Sequence, residues 1–217
     1  MMFLYFLIFI IVLYSWTGSL YPEGSGYRLD LLGDNLIPFV PEMAIFYVFL
    51  FFPMVVITMA YFSFIEEEKG YALGWSIVII NIIATIIYVL FPVSTYWWRQ
   101  ELLANKIEGN LWADVMYFYY EHETSFNCVP SMHAGMSIVC FYTWYQYHKI
   151  KPNVKTKIVA FIILFIAIGV ILSTLLVKQH YIIDEIIGVA LAYIICRIIF
   201  SKCNSWKTQK TELKEMA

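Results

Sequence analysis

The feature that most constrains this chain is a series of six long apolar runs, at about 1–16, 39–65, 71–91, 131–147, 157–177 and 181–200. Of the 217 residues, 61% are hydrophobic and only 14% are charged, a balance outside the usual range of soluble domains. In a bilayer every backbone polar group must be satisfied internally, and these runs are too long for barrel strands, so each run predicts a helix. The expected fold class is all-α: a polytopic membrane protein built as a bundle of six transmembrane helices.

The segments between the runs predict a single domain. The long connection 92–130 has a polar part followed by a part rich in Trp and Tyr, which is typical of an interfacial helical loop between spans three and four. The first run lacks a preceding basic region and a following cleavage site, which indicates a retained span. We therefore expect one membrane domain over 1–200 and a short cytoplasmic tail over 201–217.

The distribution of lysines predicts the orientation in the membrane. Two lysine clusters follow spans four and six: Lys149, Lys151, Lys155 and Lys157, and then Lys202, Lys207, Lys210 and Lys214. Because cytoplasmic loops carry the excess of Lys and Arg, both segments are expected in the cytoplasm. With an even number of spans, the N-terminus lies there as well.

Charge and cysteine usage argue against several classes of function. The formal net charge is -2, so no global field indicates nucleic-acid binding. The four cysteines lack the paired spacing of zinc sites and are interpreted as lone thiols. Neither a metal nor a cofactor is expected.

Six polar residues from three segments are predicted to share the extracytoplasmic face: Arg99, Ser131, His133, Lys178, His180 and Asp184. Ionisable groups beside membrane spans are energetically expensive, so such a convergence favours a common site. For any one of these residues alone, helix capping or interfacial snorkelling is the simpler interpretation, and Ser131 is the clearest example. His122 and His148 have no comparable neighbours and are interpreted as surface histidines.

The spacing within this set predicts the roles. His180 and Asp184 are one helical turn apart, so the carboxylate can accept the proton of one ring nitrogen and leave the other nitrogen nucleophilic. His133 follows a proline-serine turn at a helix start, where backbone N–H groups and the helix dipole favour an anion such as phosphate. Arg99, Lys178 and the Ser131 hydroxyl would add hydrogen bonds to the phosphate oxygens.

These residues resemble the motifs of the type 2 phosphatidic acid phosphatase superfamily. The second motif of that family, Pro-Ser-Gly-His, is similar to PSMH at residues 130–133, and Ser173, His180 and Asp184 match the spacing of the third. This chain departs from the family at Met132 for the motif glycine, at Thr174 for a motif arginine, and in a first motif reduced to Arg99. Lys178 could replace the charge of the missing arginine, although as a point charge and not as a planar fork.

The resemblance implies a metal-independent double displacement. His180 would attack phosphorus, His133 would protonate the leaving oxygen, and Asp184 would orient His180. The expected function is an integral membrane phosphatase that hydrolyses a lipid phosphate monoester or diphosphate within the bilayer.

Two alternatives remain from the sequence. FNCVPSMH and STLLVKQHY also look like the subgroup that includes inositol phosphorylceramide synthases, in which a lipid alcohol and not water takes the phosphorylated group. Because the chain has no obvious extra domain for a second lipid, hydrolysis is favoured. A non-catalytic membrane scaffold or transporter is the other alternative. It is disfavoured because the two histidines and the aspartate are all present, and because no ionisable pair lies at a span centre.

Overall fold

The computed structural model describes residues 2–215, apart from the side chains of residues 2–7, 9, 67–68 and 204–215. Eight α-helices form the described chain: α1 (Met2–Gly18), α2 (Phe51–Phe64), α3 (Glu67–Leu90), α4 (Tyr96–Ala104), α5 (Leu111–His122), α6 (Met132–Ile150), α7 (Val154–Leu176) and α8 (Ile182–Glu215). Residues 2–215 contain no β-strand and only one isolated bridge, between Tyr27 and Val93. The predicted all-α fold class is confirmed for this part of the chain.

Each of the six apolar runs falls on a helix, but the second run is irregular at its start. A short 3₁₀ turn, Pro41–Met43, and a π-helical segment, Ile45–Leu50, lead into α2. The Phe51 N–H bonds the Phe46 carbonyl, five residues back. Pro53 lies just inside α2 and has no N–H to donate to the preceding turn, which explains why the wider hydrogen-bonding pattern occurs here.

Three helical segments are long and apolar enough to cross a membrane, not six. Within the described residues these are Pro41–Phe64, Lys69–Leu90 and Val154–Leu176, with mean hydropathies of 2.3, 2.3 and 3.0. The predicted count of six spans is therefore not reached by length and composition. Helix α1 has only 17 residues, and α6 carries His133, His148 and Lys149.

The lower apolarity of α6 follows from its place in the bundle. It packs against α2, α3, α7 and α8, so many of its side chains face other helices. Val139 and Cys140 are fully buried, and the Trp144 indole N–H donates to the hydroxyl of Thr58 on α2 at 3.1 Å. A helix enclosed by protein can carry polar groups that find partners, which a lipid-facing helix cannot.

Helix α8 meets the start of α6 at very short range. A Cβ atom built on Gly188 would lie 2.4 Å from the carbonyl oxygen of Ser131, so only glycine permits this approach. The Ser131 N–H donates to the Asp184 carbonyl at 3.1 Å. These two contacts hold the first two turns of α8 beside the start of α6.

The connection between α3 and α6 contains two short helices, α4 and α5, which fits the helical loop expected there. Asn110 caps α5 by accepting from the Trp112 and Ala113 N–H groups. At the other end of the chain, α8 continues to Glu215, so the segment predicted as a tail is helical over 201–215. The Lys, Glu and Gln residues in that segment are good helix formers, which accounts for the extension.

Candidate active site

Two histidines and an aspartate lie together where α6 and α8 begin. The Nδ1 atom of His180 is 3.4 Å from Asp184 Oδ2, and the Nε2 atom of His180 is 3.4 Å from His133 Nδ1. His180 is 5% exposed and Asp184 is fully buried. A carboxylate beside Nδ1 favours the tautomer with its proton on that nitrogen, so Nε2 is left with a free lone pair facing His133.

Asp184 also forms part of the helix start that positions His180. Its Oδ2 atom accepts from the Tyr181 N–H at 2.9 Å, and Oδ1 of Asp34 accepts from the Ile182 N–H at 2.8 Å. These carboxylates satisfy N–H groups that have no partner within the first turn of a helix. The Gln179 N–H bonds the Thr174 carbonyl at 2.9 Å, which fixes the turn that carries His180 between α7 and α8.

His133 is held by the cap of α6 and by two aromatic rings. The Ser131 hydroxyl accepts from the Ala134 N–H at 3.3 Å and so caps the helix. The His133 ring packs against Tyr47 and Phe51, with both ring centroids 4.6 Å from its own. The imidazole therefore has an orientation fixed by packing, with Nδ1 directed at His180.

Arg99 is linked to this group, but two of its three guanidinium nitrogens already donate hydrogen bonds to protein oxygens. It is 5% exposed and donates to the Glu123 carbonyl at 2.7 Å and to the Gln179 side-chain oxygen at 2.5 Å. Its Nε atom has no hydrogen-bond partner among the described residues. The sequence did not identify Gln179, whose place directly before His180 ties Arg99 to the turn that carries the histidine.

The side chain of Lys178 points to a different set of residues. The backbone at Lys178 has a φ of 53°, and its ammonium donates to the Asp34 carbonyl at 2.8 Å and lies 4.7 Å from the centre of the Trp98 ring. Burial lowers the pKa of Lys178, while the Asp34 carboxylate opposes that shift. The structure thus brings His133, His180, Asp184 and Ser131 together, with Arg99 linked through Gln179, and it directs Lys178 elsewhere.

Glu185 is a buried carboxylate that the sequence reasoning missed. It is 4% exposed, and its Oε1 accepts from the Thr174 hydroxyl at 2.9 Å. Thr174 stands where the motif of the resembled family has an arginine, so at this position the chain uses a hydroxyl that bonds an acid. An acidic residue directly after Asp184 in the first turn of a helix was the available signal, but helix starts commonly carry acidic residues.

Cys128, His180 and Asp184 are the one group among the described residues that could hold a metal ion. Each offers one ligand atom, and these atoms lie within 4.8 Å of one another. Metal binding requires the thiolate, whereas burial raises the pKa of Cys128 well above its ordinary value. Its Sγ donates to the Ser125 carbonyl at 3.3 Å. A protonated thiol is therefore the form that this surrounding favours.

Of the remaining histidines, His122 is exposed and its Nδ1 is 2.7 Å from the Phe118 carbonyl. His148 is half-buried at the other end of α6, where its Nδ1 is 2.9 Å from the Thr156 hydroxyl. Both lie outside the His133–His180 pair.

A cavity of about 650 Å³ opens beside the pair, and His133 is part of its wall. Its lining is largely aliphatic and aromatic and comes from α1, α2, α3, α5 and α6. Glu123 and Thr124 lie at the end of the cavity beside the last residue of α1, where the Thr124 hydroxyl donates to the Gly18 carbonyl at 3.0 Å. The cavity thus reaches the His133–His180 pair at His133.

Comparison with known protein families identifies the family of this chain. A family model described as the PAP2 superfamily matches residues 38–198, a stretch that contains every one of the predicted site residues. No curated protein and no solved structure matches the chain. Since the match covers well over half of the 217 residues, the chain belongs to the PAP2 superfamily.

Proposed function

We propose that the chain is an integral membrane phosphatase that hydrolyses a lipid phosphate monoester or diphosphate through a phosphohistidine. Membership of the PAP2 superfamily suggests phosphatase or phosphotransferase chemistry. The observation that carries the proposal is the position of His180 Nε2, which faces His133 while Nδ1 of the same ring lies beside Asp184. An imidazole oriented by a carboxylate is an activated nucleophile.

In the first half of the reaction, Nε2 of His180 attacks phosphorus and the bond to the leaving oxygen breaks. His133 starts this step as the imidazolium and gives a proton to that oxygen, and Asp184 stabilises the positive charge that develops on the His180 ring. In the second half, His133 takes a proton from water, and the resulting hydroxide attacks phosphorus and releases His180. The protons and the phosphoryl group balance over the two steps without a metal.

The phosphoryl group has to enter between the two imidazoles. A separation of 3.4 Å between Nε2 of His180 and Nδ1 of His133 leaves no room for phosphorus and a leaving oxygen. The pair must therefore open when substrate binds. The unpaired Nε of Arg99 is a donor within the protein that could then reach a phosphate oxygen, and Ser131 is the second proposed phosphate ligand. Lys178 is the third, and to take this role its ammonium has to leave the Asp34 carbonyl.

We further propose that α1, α6 and α8 cross the membrane together with the three helices that meet the length and hydropathy criteria. At 1.5 Å per residue, the 19 residues of α6 extend about 28 Å, close to the thickness of the hydrocarbon core. The starts of α6 and α8 and the ends of α3 and α7 lie at one end of the bundle. With the lysine-rich segments in the cytoplasm, that end is extracytoplasmic.

The proposal is tested with purified protein and a panel of lipid phosphates and diphosphates, with and without added lipid alcohols. Release of inorganic phosphate by the native protein, lost in His180→Ala and retained in His148→Ala, is the expected result. His148 is a suitable control because it lies on α6 and outside the site. Formation of a new phosphorylated lipid in place of free phosphate would establish transfer. Equal activity of His180→Ala and the native protein would refute the assignment of the site.

A further inference from the structure

The cavity beside His133 has a defined direction in the bundle. Its lining on α1 runs from Ile10 to Gly18, and its lining on α3 runs from Asn81 to Tyr88. The Tyr88 hydroxyl bonds the Pro130 carbonyl at 2.7 Å, directly before α6, so the Tyr88 end is the end near the histidines. The Tyr21 hydroxyl, three residues after α1, bonds the Val89 carbonyl at 2.5 Å, so the end of α1 lies at the same level, and the Ile10 and Asn81 ends lie deeper in the bundle.

The length of the cavity follows from helix geometry. Gly18 is eight residues after Ile10, which corresponds to about 12 Å along the axis of α1. Carbon–carbon bonds of 1.52 Å give an extended alkyl chain about 1.3 Å per methylene, so roughly ten carbons would reach from one end to the other.

The chemistry of the walls changes along that length. The deeper part is formed by aliphatic and aromatic side chains such as Leu13, Val55, Ala84 and Met136, and the Asn81 amide donates to the Ile77 carbonyl of its own helix at 2.8 Å. Most of the polar groups, among them His133, Glu123 and Thr124, are at the end near the site, and Ser15 and Thr85 are polar residues between the two ends. An apolar chamber with polar groups at one end matches a molecule with a hydrocarbon body and a polar head.

We propose that this cavity binds a hydrocarbon chain of the substrate, so that the enzyme selects lipid phosphates with a chain of about ten carbons or more. The inference rests on the proposed function, because it places the phosphate of the same molecule at the histidine pair. Its basis is the continuity of the apolar chamber with His133. Burial of Glu123 raises the pKa of its carboxyl, and the Arg99 guanidinium opposes that shift.

Filling the cavity one turn below the site should shorten the chain that it accepts. Ala84 lies four residues, or about 6 Å, deeper than Tyr88 on α3, and it is 1% exposed. In Ala84→Phe the new ring would occupy the deeper part. Thr85→Phe adds bulk to the same wall from a half-buried position and is the second variant. Ala190→Phe places the same ring on an exposed position of α8 and is the matched control.

The experiment measures kcat/KM for n-alkyl phosphates from ethyl to dodecyl and for p-nitrophenyl phosphate, with native protein and each variant in the same detergent. For each substrate, kcat/KM of the variant is divided by kcat/KM of the native protein. The ratio cancels partition of the substrate into micelles. Each methylene that enters the cavity is expected to raise kcat/KM of the native protein up to about fourfold, with a plateau near ten carbons. At least one filling variant should keep p-nitrophenyl phosphate turnover within threefold and lose dodecyl phosphate turnover by tenfold or more, while Ala190→Phe should lose neither.

Two results would overturn the inference. One is dodecyl phosphate turnover that both filling variants keep in full. The other is an equal loss on all substrates in two variants whose melting temperatures match that of the native protein. If the native protein hydrolyses no phosphate ester, the proposed function fails, and a photoactivatable alkyl phosphate then tests the cavity by itself. Crosslinks on the lining residues of α1 and α3 would support it, and crosslinks confined to exposed positions would refute it.

Discussion

Replacing Gly188 with alanine perturbs the site without touching any of its proposed catalytic groups. The added Cβ would lie 2.4 Å from the Ser131 carbonyl oxygen, whereas ordinary contacts start near 3.4 Å. The starts of α6 and α8 must therefore separate by about 1 Å, which changes the position of His180 relative to His133. A misplacement of this size in a catalytic pair costs about 10²-fold in rate, and overpacking costs about 1–3 kcal/mol of stability.

The assay for Gly188→Ala is kcat on p-nitrophenyl phosphate together with the melting temperature. The melting temperature should fall, whereas glycine to alanine within a helix ordinarily stabilises by about 0.5–1 kcal/mol. The sign of the stability change therefore reports whether the close contact exists. Ala190→Val, which adds two methyl groups at an exposed position of the same helix, should change neither quantity. A variant with native kcat and an unchanged or higher melting temperature would show that the close approach of α8 to Ser131 does not position the histidines.

Three further predictions concern the proposed chemistry and topology. His133→Ala should lose about 10²–10⁴-fold on alkyl phosphates but much less on p-nitrophenyl phosphate, whose leaving group needs little protonation, and equal losses on both would replace the general-acid role with a structural one. Activity should survive EDTA, because burial favours the protonated thiol of Cys128. If EDTA instead removed all activity, and Zn²⁺ restored it in the native protein but not in Cys128→Ser, a metal bound by that thiol, His180 and Asp184 would be established. A reporter fused after Ala217 should be cytoplasmic, and a reporter on the opposite side would place the site in the cytoplasm.

The helices and the central pair were predictable because both depend on local patterns. Apolar runs of helical length produced six helices, with bounds that differ from the runs by a few residues over much of the chain. The four-residue spacing of His180 and Asp184 predicted that they meet, and the structure has them 3.4 Å apart, although His180 lies in the turn before α8 and not on the helix. His133 met them because its helix and α8 begin at the same end of the bundle.

The partners of the cations were not predictable, since they depend on contacts between distant segments. Arg99 bonds the Glu123 carbonyl and the side chain of Gln179, and neither a backbone acceptor nor a neutral amide has a signature in sequence. Lys178 was expected to face phosphate because of its distance from His180 along the chain. A positive φ at this residue turns its side chain to Asp34, and a lysine gives no local signal for that conformation.

The number of spans and the cavity depend on packing of whole helices. Helix α6 is enclosed by four neighbours and so tolerates polar residues. Its hydropathy therefore does not predict its central position in the bundle. The apolar residues that line the cavity on α1 and α3 have the same composition as those that face lipid. Only the arrangement of the helices distinguishes the two faces.

The most direct test of the central claim is detection of the phosphorylated residue. Native protein is mixed with a ³²P-labelled lipid phosphate, quenched within milliseconds in alkali, digested and analysed for labelled peptides. A phosphohistidine intermediate predicts label on His180 that is stable to alkali and lost in acid, that is absent from His180→Ala, and that accumulates in His133→Ala with an activated ester because water attack is slowed. Label on a serine, a threonine or His133, or turnover without any label under conditions that trap the intermediate, would contradict it.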